Sequence, residues 1–226
     1  MLWQEDESKE NIIVSKEIVD MVFSIDCRCL LLDHAYNLSQ AICKALPWFE
    51  QKPLAGLHLI RGGESNHGWQ RPEQPDSIMY LSRRTKLTLR LPQNCVDKAQ
   101  ALCGMTFDID GYSLQVKSAK VKELDKIEAL LARHIITKPE ISEETFVNNI
   151  VIELTKHGIN CRKAVCGKTD NIKTPTGNLF TRSLMLTDLG VQDSILIQQK
   201  GLGTGRILGC GLFVAHKGIN ATTSTY

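Results

Sequence analysis

The chain has 226 residues, of which 42% are hydrophobic and 23% are charged. This length and composition are those of a folded protein with one large domain or two small ones, and they exclude a disordered or low-complexity chain. The net charge of +2 is too small to indicate a nucleic-acid partner, so the distribution of charge along the chain has to decide that question.

The sequence shows no pattern typical of membrane insertion or export. No stretch approaches the roughly 18 apolar residues of a membrane-spanning helix, and the acidic start MLWQEDESKE is the opposite of a basic signal peptide. The eight cysteines lack the dense spacing of secreted disulfide-rich domains. We therefore expect a cytoplasmic protein with reduced thiols and no membrane partner.

The first predicted elements are a strand, a helix and a second strand. Residues 16–26 alternate apolar and polar side chains, which predicts a strand. Asp33 has the position of an N-cap, and apolar residues recur at helical spacing after it until Pro47 ends the pattern. The segment AGLHLIRG then predicts a short strand, and residues 62–76 a polar loop.

A long strand, a helix and a hairpin complete the first half. In YLSRRTKLTLRLP, leucines occupy one face of the predicted strand, and Arg84, Lys86 and Arg90 occupy the other. An amphipathic segment at 96–103 precedes a hairpin with its turn at Asp110-Gly111. The order of strand, helix, strand, strand, helix, strand is that of a ferredoxin-like unit.

The second half repeats this order. The pattern predicts a strand at 131–138, a helix at 142–157 with Ser142 as its N-cap, β segments at 161–166 and 179–186, a helix at 191–199 and a last strand at 207–216. We therefore predict an α+β fold of two tandem ferredoxin-like (βαββαβ) units. The expected bounds are 15–120 for the N-terminal domain, 121–218 for a C-terminal domain with a glycine-rich loop, and 219–226 for a flexible tail.

Positive charge is concentrated in two places. One is the predicted strand face of Arg84, Lys86 and Arg90, and the other is the stretch 156–182, in which six basic residues accompany Asp170 as the only acid. As clusters, both favour phosphate contacts with RNA, although a solvated strand face explains any single lysine better. The candidate phosphate-binding residues in the second cluster are Arg162, Lys163, Lys168, Lys173 and Arg182.

The segment GLGTGRILGCG, residues 201–211, contains five glycines and one arginine. It follows a predicted helix and enters a strand, so it is neither a Walker motif nor a dinucleotide fingerprint. Its glycines suit close backbone approach, with free amides at Gly203 and Gly205 for an RNA phosphate and Arg206 adding a positive charge. The alternative is structural, with Gly201 as a helix C-cap followed by a glycine-bulged strand.

Several motifs together resemble one protein family. A helix followed by GLGTGRILGCGLFV resembles the glycine-rich signature of the CRISPR repeat-processing endoribonucleases, a family within the RAMP superfamily. The segments DHAYNLSQAICKALPWF, GLHLIRG and SRRTKLTLRLP, in that order, resemble the Myxan branch of this family. The resemblance therefore spans most of the chain, and the order of the motifs is more specific than any one of them.

The resemblance implies paired ferredoxin-like folds, recognition of CRISPR repeat RNA and cleavage that releases guide RNA for antiviral defence. The implied reaction is attack of a ribose 2′-hydroxyl on its neighbouring phosphate, which leaves a 2′,3′-cyclic phosphate and a 5′-hydroxyl. Such a tethered nucleophile needs a base, an acid and phosphate neutralisation, so we expect neither a metal nor a cofactor. Besides precursor and product RNA, other subunits of a CRISPR effector complex are candidate partners.

The candidate catalytic residues are two histidines and their neighbours, because histidine is the natural base near pH 7. His34 in the DHAY motif comes first, since the family usually keeps its base in this region; its place on the apolar stripe of the helix makes a core histidine the alternative. Tyr36 is a candidate for orienting the phosphate or the base, and Lys44 for stabilising developing charge. His58 is the rival base, or else a structural histidine, with Arg61 on the opposite strand face.

Other interpretations have less support. His157, Cys161 and Cys166, like Cys27 and Cys29, lack the paired knuckles of a zinc site. A cyclic phosphodiesterase would need HxT or HxS motifs, which neither candidate histidine has. The alternative function is a catalytically silent RAMP-type subunit that holds repeat RNA in an effector complex, and the two histidines in family-like motifs favour the enzyme.

Overall fold

The structure, a computed structural model, describes residues 17–62 and 77–216. Most of the predicted polar loop at 62–76 and the whole predicted tail at 219–226 lie outside the described residues. Within the described part, the longest helix has 14 residues, and no helix there is both long and apolar enough to cross a bilayer.

The first half is built around a five-stranded antiparallel sheet. The seven strands of this half, of which two lie outside that sheet, are β1 (Ile18–Asp26), β2 (Cys29–Leu31), β3 (Gly56–His58), β4 (Ile78–Tyr80), β5 (Lys86–Pro92), β6 (Thr106–Ile109) and β7 (Tyr112–Lys122). Helix α1 (Ala35–Ala45) lies between β2 and β3, and the short helix α2 (Val96–Ala99) lies between β5 and β6. The spatial order is β3-β5-β1-β7-β6, whereas β2 and β4 pair with each other in a separate ribbon.

The second half repeats this arrangement with four strands. Its elements are β8 (Leu130–Ile136), α3 (Glu143–Lys156), β9 (Lys163–Thr174), β10 (Gly177–Thr187), α4 (Val191–Lys200) and β11 (Phe213–Ala215). The sheet order β11-β8-β10-β9 corresponds to β7-β1-β5-β3 in the first half, once the edge strand β6 is set aside. The predicted α+β fold of two tandem ferredoxin-like units is therefore confirmed.

The alternation that predicts the strands also places the two main cores. Val19, Met21 and Phe23 point from β1 into a cluster that includes Leu38 and Ile42 of α1, and all five are at most 2% exposed. A second cluster packs β8 and β10 against the buried side of α3. The helices of each half therefore cover one face of its sheet. The other face is available for contacts outside that core.

Three local predictions are wrong. The predicted long strand is broken, because a turn in which the amide of Thr85 donates to the carbonyl of Ser82 separates β4 from β5. The N-cap of α1 is His34 rather than Asp33, whose carboxylate lies 3.4 Å from the Lys173 ammonium. The last strand covers only three residues, since 206–208 form a 3-10 turn within the glycine-rich segment.

A small apolar cluster joins the two halves beside α1. It consists of Ala35 from α1, Ile172 from β9 and Cys210 from the glycine-rich segment, with Leu59 and Ile136 packed against it. These contacts bring the first turn of α1 close to the sheet of the second half. The space between the halves is therefore framed by elements from both.

Candidate active site

A cleft of about 870 Å³ lies between the two halves. The first half contributes the start of α1, the end of β3 and part of β4, and the second half contributes β8, β9 and β10. The polar side chains that line the cleft are Asp33, His34, His58, Arg61, Arg133, His134, Lys168, Thr169, Asp170, Asn171 and Ser183. Three imidazoles and three cationic side chains thus line one space, which suits proton transfer beside a phosphate.

The two ring nitrogens of His34 differ in their contacts: Nδ1 is held by a backbone carbonyl, whereas Nε2 is held by none in the described part of the chain. Nδ1 lies 2.9 Å from the carbonyl oxygen of Leu31, and because a carbonyl only accepts, Nδ1 carries the proton. Nε2 therefore holds a lone pair, and it has no hydrogen-bond partner among the described residues. This tautomer is the one that a base acting through Nε2 requires.

Burial keeps the His34 ring neutral. The residue is 3% exposed, and desolvation lowers the pKa of its imidazole below the usual 6.5, against the opposing effect of the hydrogen bonds to the backbone carbonyls of Leu31 and Leu32. A neutral imidazole at pH 7 is ready to accept a proton. The alternative of a core histidine explains the burial but leaves Nε2 without a partner.

His58 lies beside a buried ion pair. Its Nε2 is 3.6 Å from the Asp20 carboxylate, and Asp20 accepts two hydrogen bonds from Arg90, at 2.8 and 2.9 Å. Burial lowers the pKa of His58, and Asp20 opposes that shift. Burial would by itself raise the pKa of Asp20, but Arg90 and His58 hold it well below its usual range. His58 is therefore placed next to a carboxylate that stays ionised.

His134 is a third cleft histidine, which sequence reasoning missed. Its Nδ1 lies 3.2 Å from the Thr181 hydroxyl. The register between β10 and β8 shifts at Ser183, so that two residues of β8, Arg133 and His134, lie opposite this single residue of β10. Such a bulge redirects side chains, here into the cleft. A signal exists in the sequence, since the apolar alternation of Leu130 and Ala132 resumes only at Ile135.

A second bulge in the same sheet places a predicted cation in the cleft. The pairing of β9 with β10 also slips opposite Ser183, so that Gly167 and Lys168 face that single residue. Lys168 is exposed and lines the cleft. Arg61 lines it as well, together with His58, because β3 ends at His58 and strand alternation does not extend to Arg61. The prediction of opposite faces for these two residues is therefore wrong.

The remaining predicted cations are spread over the surface. Arg84, Lys86, Arg162, Lys163 and Lys173 are exposed, and none of them lines the cleft. Lys86 donates to the Ser24 hydroxyl at 3.1 Å, and Lys163 lies 3.1 Å from the Asp188 carboxylate. Arg182 is half-buried on the opposite face of β10, where its guanidinium lies over the Phe146 ring at 5.8 Å. Their contacts with RNA stay predictions.

Arg90 does not belong to a solvent-facing cationic surface, so this prediction is wrong. It is 1% exposed, and besides Asp20 it donates to the backbone carbonyls of Gln198 at 3.0 Å and Phe213 at 2.7 Å. The face of β5 that carries Arg90 is covered by the second half. Strand alternation identifies the face correctly but does not say what packs on it.

Arg206 is likewise structural rather than a phosphate contact. Its guanidinium is buried and donates to the carbonyls of Leu54 at 2.8 Å and Ala55 at 3.3 Å in the first half. It also donates to the carbonyls of Lys200 and Gln199 at the end of α4, at 2.7 and 3.1 Å. Arg206 therefore ties the two halves together, and an RNA phosphate cannot reach it in this arrangement.

The glycine-rich segment is a tightly packed joint. Gly201 ends α4 with a φ of 69°, and a Cβ there would lie 2.4 Å from the Gly211 carbonyl oxygen, which bears out the C-cap alternative at this position. The Gly203 amide is not free, because it donates to the Glu153 carboxylate at 2.6 Å. Gly205 packs so closely on Ile136 that a Cβ would lie 2.7 Å from its Cδ1. Close backbone approach is confirmed, but it serves packing within the second half and, at Gly209, where a Cβ would lie 2.5 Å from Cγ of Leu59, packing between the halves.

Two other predicted catalytic residues lie outside the cleft lining. Tyr36 is half-buried on α1, and Lys44 is exposed near the end of the same helix. Ten residues of helix separate Lys44 from His34 by about 15 Å along the axis. Lys44 is therefore too far from His34 to act on the same phosphate, so that prediction is wrong.

Comparison with known proteins gives a consistent result. The family model described as Cas6 Crispr matches residues 19–218. A curated relative, the CRISPR-associated endonuclease Cas6 of Myxococcus xanthus (strain DK1622), is 26% identical over 196 residues, which cover 87% of this chain and 80% of that protein.

Solved structures share the fold at low sequence identity. One, described as CRISPR associated protein Cas6, has a TM-score of 0.60 at 13% identity and covers 89% of this chain and all (100%) of its own. Another, an RAMP protein binding different RNA substrates, has a TM-score of 0.60 at 14% identity over 87% of this chain and 98% of its own. A third, encoded by a Cas6-related gene from Pyrococcus furiosus, has a TM-score of 0.58 at 11% identity over 89% and 99%.

Proposed function

The chain belongs to the Cas6 family of CRISPR-associated endonucleases, and we propose that it cuts precursor CRISPR RNA within the repeats without using a metal ion. A ribose 2′-hydroxyl attacks the adjacent phosphate, the bond to the next nucleotide's 5′-oxygen breaks, and guide RNAs with 2′,3′-cyclic phosphate and 5′-hydroxyl ends are released. Repeat RNA is therefore both the substrate and the principal partner. Binding to other effector-complex subunits is a further part of the proposal.

The observation that carries this proposal is the geometry of His34. Its Nδ1 proton is committed to the Leu31 carbonyl, and its buried Nε2 has no partner among the described residues. A lone pair on a residue that lines the cleft, in a ring kept neutral by burial, suits removal of a proton from a 2′-hydroxyl. His34 thus acts as the general base.

The other cleft residues fit the remaining needs of the reaction. The 5′-oxygen leaves as an alcohol only if it receives a proton, and His58 and His134 are the two further imidazoles beside the same space. Lys168 and Arg61 supply positive charge for the phosphate, whose charge increases as the 2′-oxygen attacks. Because the nucleophile is part of the substrate, positioning contributes much of the rate enhancement.

The variant His34→Ala tests the proposal. We expect cleavage of the protein's own repeat RNA to slow by roughly 10²-fold or more, with the Kd for RNA changed no more than a few-fold, because only the base is lost. The matched control is His157→Ala, which removes a histidine at the end of α3 and outside the cleft.

Three other outcomes would be informative. A rate defect in His58→Ala but not in His34→Ala would make His58 the base. An equal loss of rate and affinity in His34→Ala would mean that His34 is structural. If the parent protein bound repeat RNA and left it uncut, the chain would be a silent RNA-binding subunit rather than the enzyme.

Lys168 provides a separate test of the RNA path. We expect Lys168→Ala to weaken RNA binding and to reduce the slope of log Kd against log salt by about one, the effect of one lost phosphate contact. The matched control is Lys98→Ala, an exposed lysine on α2 that does not line the cleft. An unchanged salt slope in Lys168→Ala would remove β9 from the path of the RNA.

A further inference from the structure

The β2–β4 ribbon leads from the cleft to a basic surface. Leu30 pairs with Met79, and both are buried. Their neighbours along the two strands therefore point to the outside of the ribbon. Leu32, at one end of the ribbon, and Met79, in the middle of β4, line the cleft. At the other end, the amide of Leu81 donates to the carbonyl of Arg28 at 2.8 Å, which closes the ribbon.

Cationic side chains surround that far end. Arg28 precedes β2, Arg83 lies in the turn after β4, and both are exposed. Lys117 of β7 pairs with the exposed Asp26 carboxylate at 2.9 Å. The hydrogen bond from Lys117 is the largest cause of the lowered pKa of Asp26, and the charges of Arg28 and Arg83 lower it further. All three cations therefore lie around this one carboxylate. The surface is therefore positive even after pairing.

Tyr80 adds an aromatic ring to this surface. At 78% exposure it is the most exposed large hydrophobic side chain among the described residues. It pairs with Cys29 in the ribbon register, directly beside Arg28. An exposed aromatic ring next to cations is the arrangement with which proteins bind single-stranded nucleic acid, since the ring stacks on a base and the cations neutralise phosphates.

We propose that the outward side of the β2–β4 ribbon guides single-stranded RNA from the cleft, with Tyr80 stacking on a base and Arg28 and Arg83 contacting phosphates. This rests on the proposed function, because it takes the cleft as the place where RNA is held. From Leu31 to Arg28 the ribbon extends about 10 Å, the length of about three stacked nucleotides. Tyr80 therefore contacts a nucleotide a short distance outside the reacting phosphate.

The test compares repeat RNA with and without a single-stranded extension. The probes are the protein's own repeat RNA, made uncleavable by a deoxyribose upstream of the cut, alone or with six uridines added at the 5′ or the 3′ end. We expect one extension to tighten binding to the full chain. Tyr80→Ala should reduce this gain in affinity by about fivefold or more, whereas Tyr80→Phe should retain it because it keeps the stacking ring.

Matched controls separate this idea from the proposed function. Phe180→Ala removes another exposed aromatic ring, outside the ribbon, and should keep the gain. Arg83→Ala should reduce both the gain and its salt dependence. An unchanged gain in Tyr80→Ala, or an equal loss for extended and unextended RNA, would overturn the proposal. Absence of any repeat binding or cleavage by the parent protein would instead refute the proposed function.

Discussion

Repeat RNA that carries deoxyribose in place of the ribose just upstream of the cut will still bind the protein but will remain whole. The substitution removes the 2′-hydroxyl, which the proposed reaction uses as its nucleophile, and few binding contacts. We expect cleavage to fall by more than about 10³-fold, because no other nucleophile is held in line with the phosphate. Gel analysis of the products and a Kd for each RNA measure the two effects separately.

Chelation provides the control for this experiment. Cleavage of the all-ribose repeat in EDTA should equal that in buffer with magnesium, since in the proposed mechanism His34 takes the proton and cationic side chains neutralise the phosphate. Normal cutting of the deoxy-substituted RNA would contradict the mechanism. Activity that vanished in EDTA and returned with magnesium would favour attack by metal-bound water.

Arg90→Ala will destabilise the fold by about 3–5 kcal/mol, the usual cost of breaking a buried ion pair by removing one partner. The change leaves the buried Asp20 carboxylate without its two hydrogen bonds from Arg90 and removes the donor shared by the Gln198 and Phe213 carbonyls. The denaturant midpoint of the full chain measures this loss. The matched control is Lys86→Ala, an exposed cation on the same strand, which should change stability by no more than about 0.5 kcal/mol.

The pH dependence of this stabilisation has a definite sign. The pKa of Asp20 in the folded protein lies below its usual value of 3.8, so ionised Asp20 contributes stability above that value. The contribution is lost as the pH falls through the folded-state pKa. If the Arg90→Ala variant were as stable as the parent at pH 7, Arg90 would not hold the two halves together.

Both halves are therefore needed to form the cleft, and buried polar contacts set how they meet. Arg90 extends from the first sheet to carbonyls of the second half, and Arg206 extends from the glycine-rich segment to carbonyls of the first. The glycine-rich segment is conspicuous in sequence because close packing between the halves excludes side chains there. The amide of the exposed Gly203 is occupied by the Glu153 carboxylate.

The sequence by itself determined the main helices and strands and their order, because strand and helix periods are local properties of neighbouring residues. The turn at Asp110-Gly111 shows this, since both residues have the positive φ, 55° and 83°, that a two-residue hairpin requires. The candidacy of His34 has a different origin, because it rests on the family resemblance of the DHAY motif at the start of α1 and not on a periodic pattern.

Only the tertiary structure decided what covers each face. Alternation places Arg84, Lys86 and Arg90 on one side of the chain, yet the last is buried between the halves while the first two stay exposed. His134 enters the cleft through a bulge that depends on the pairing of β8 with β10. A period-two pattern says which side chains point the same way, but whether they meet water or another element depends on contacts between residues far apart in sequence.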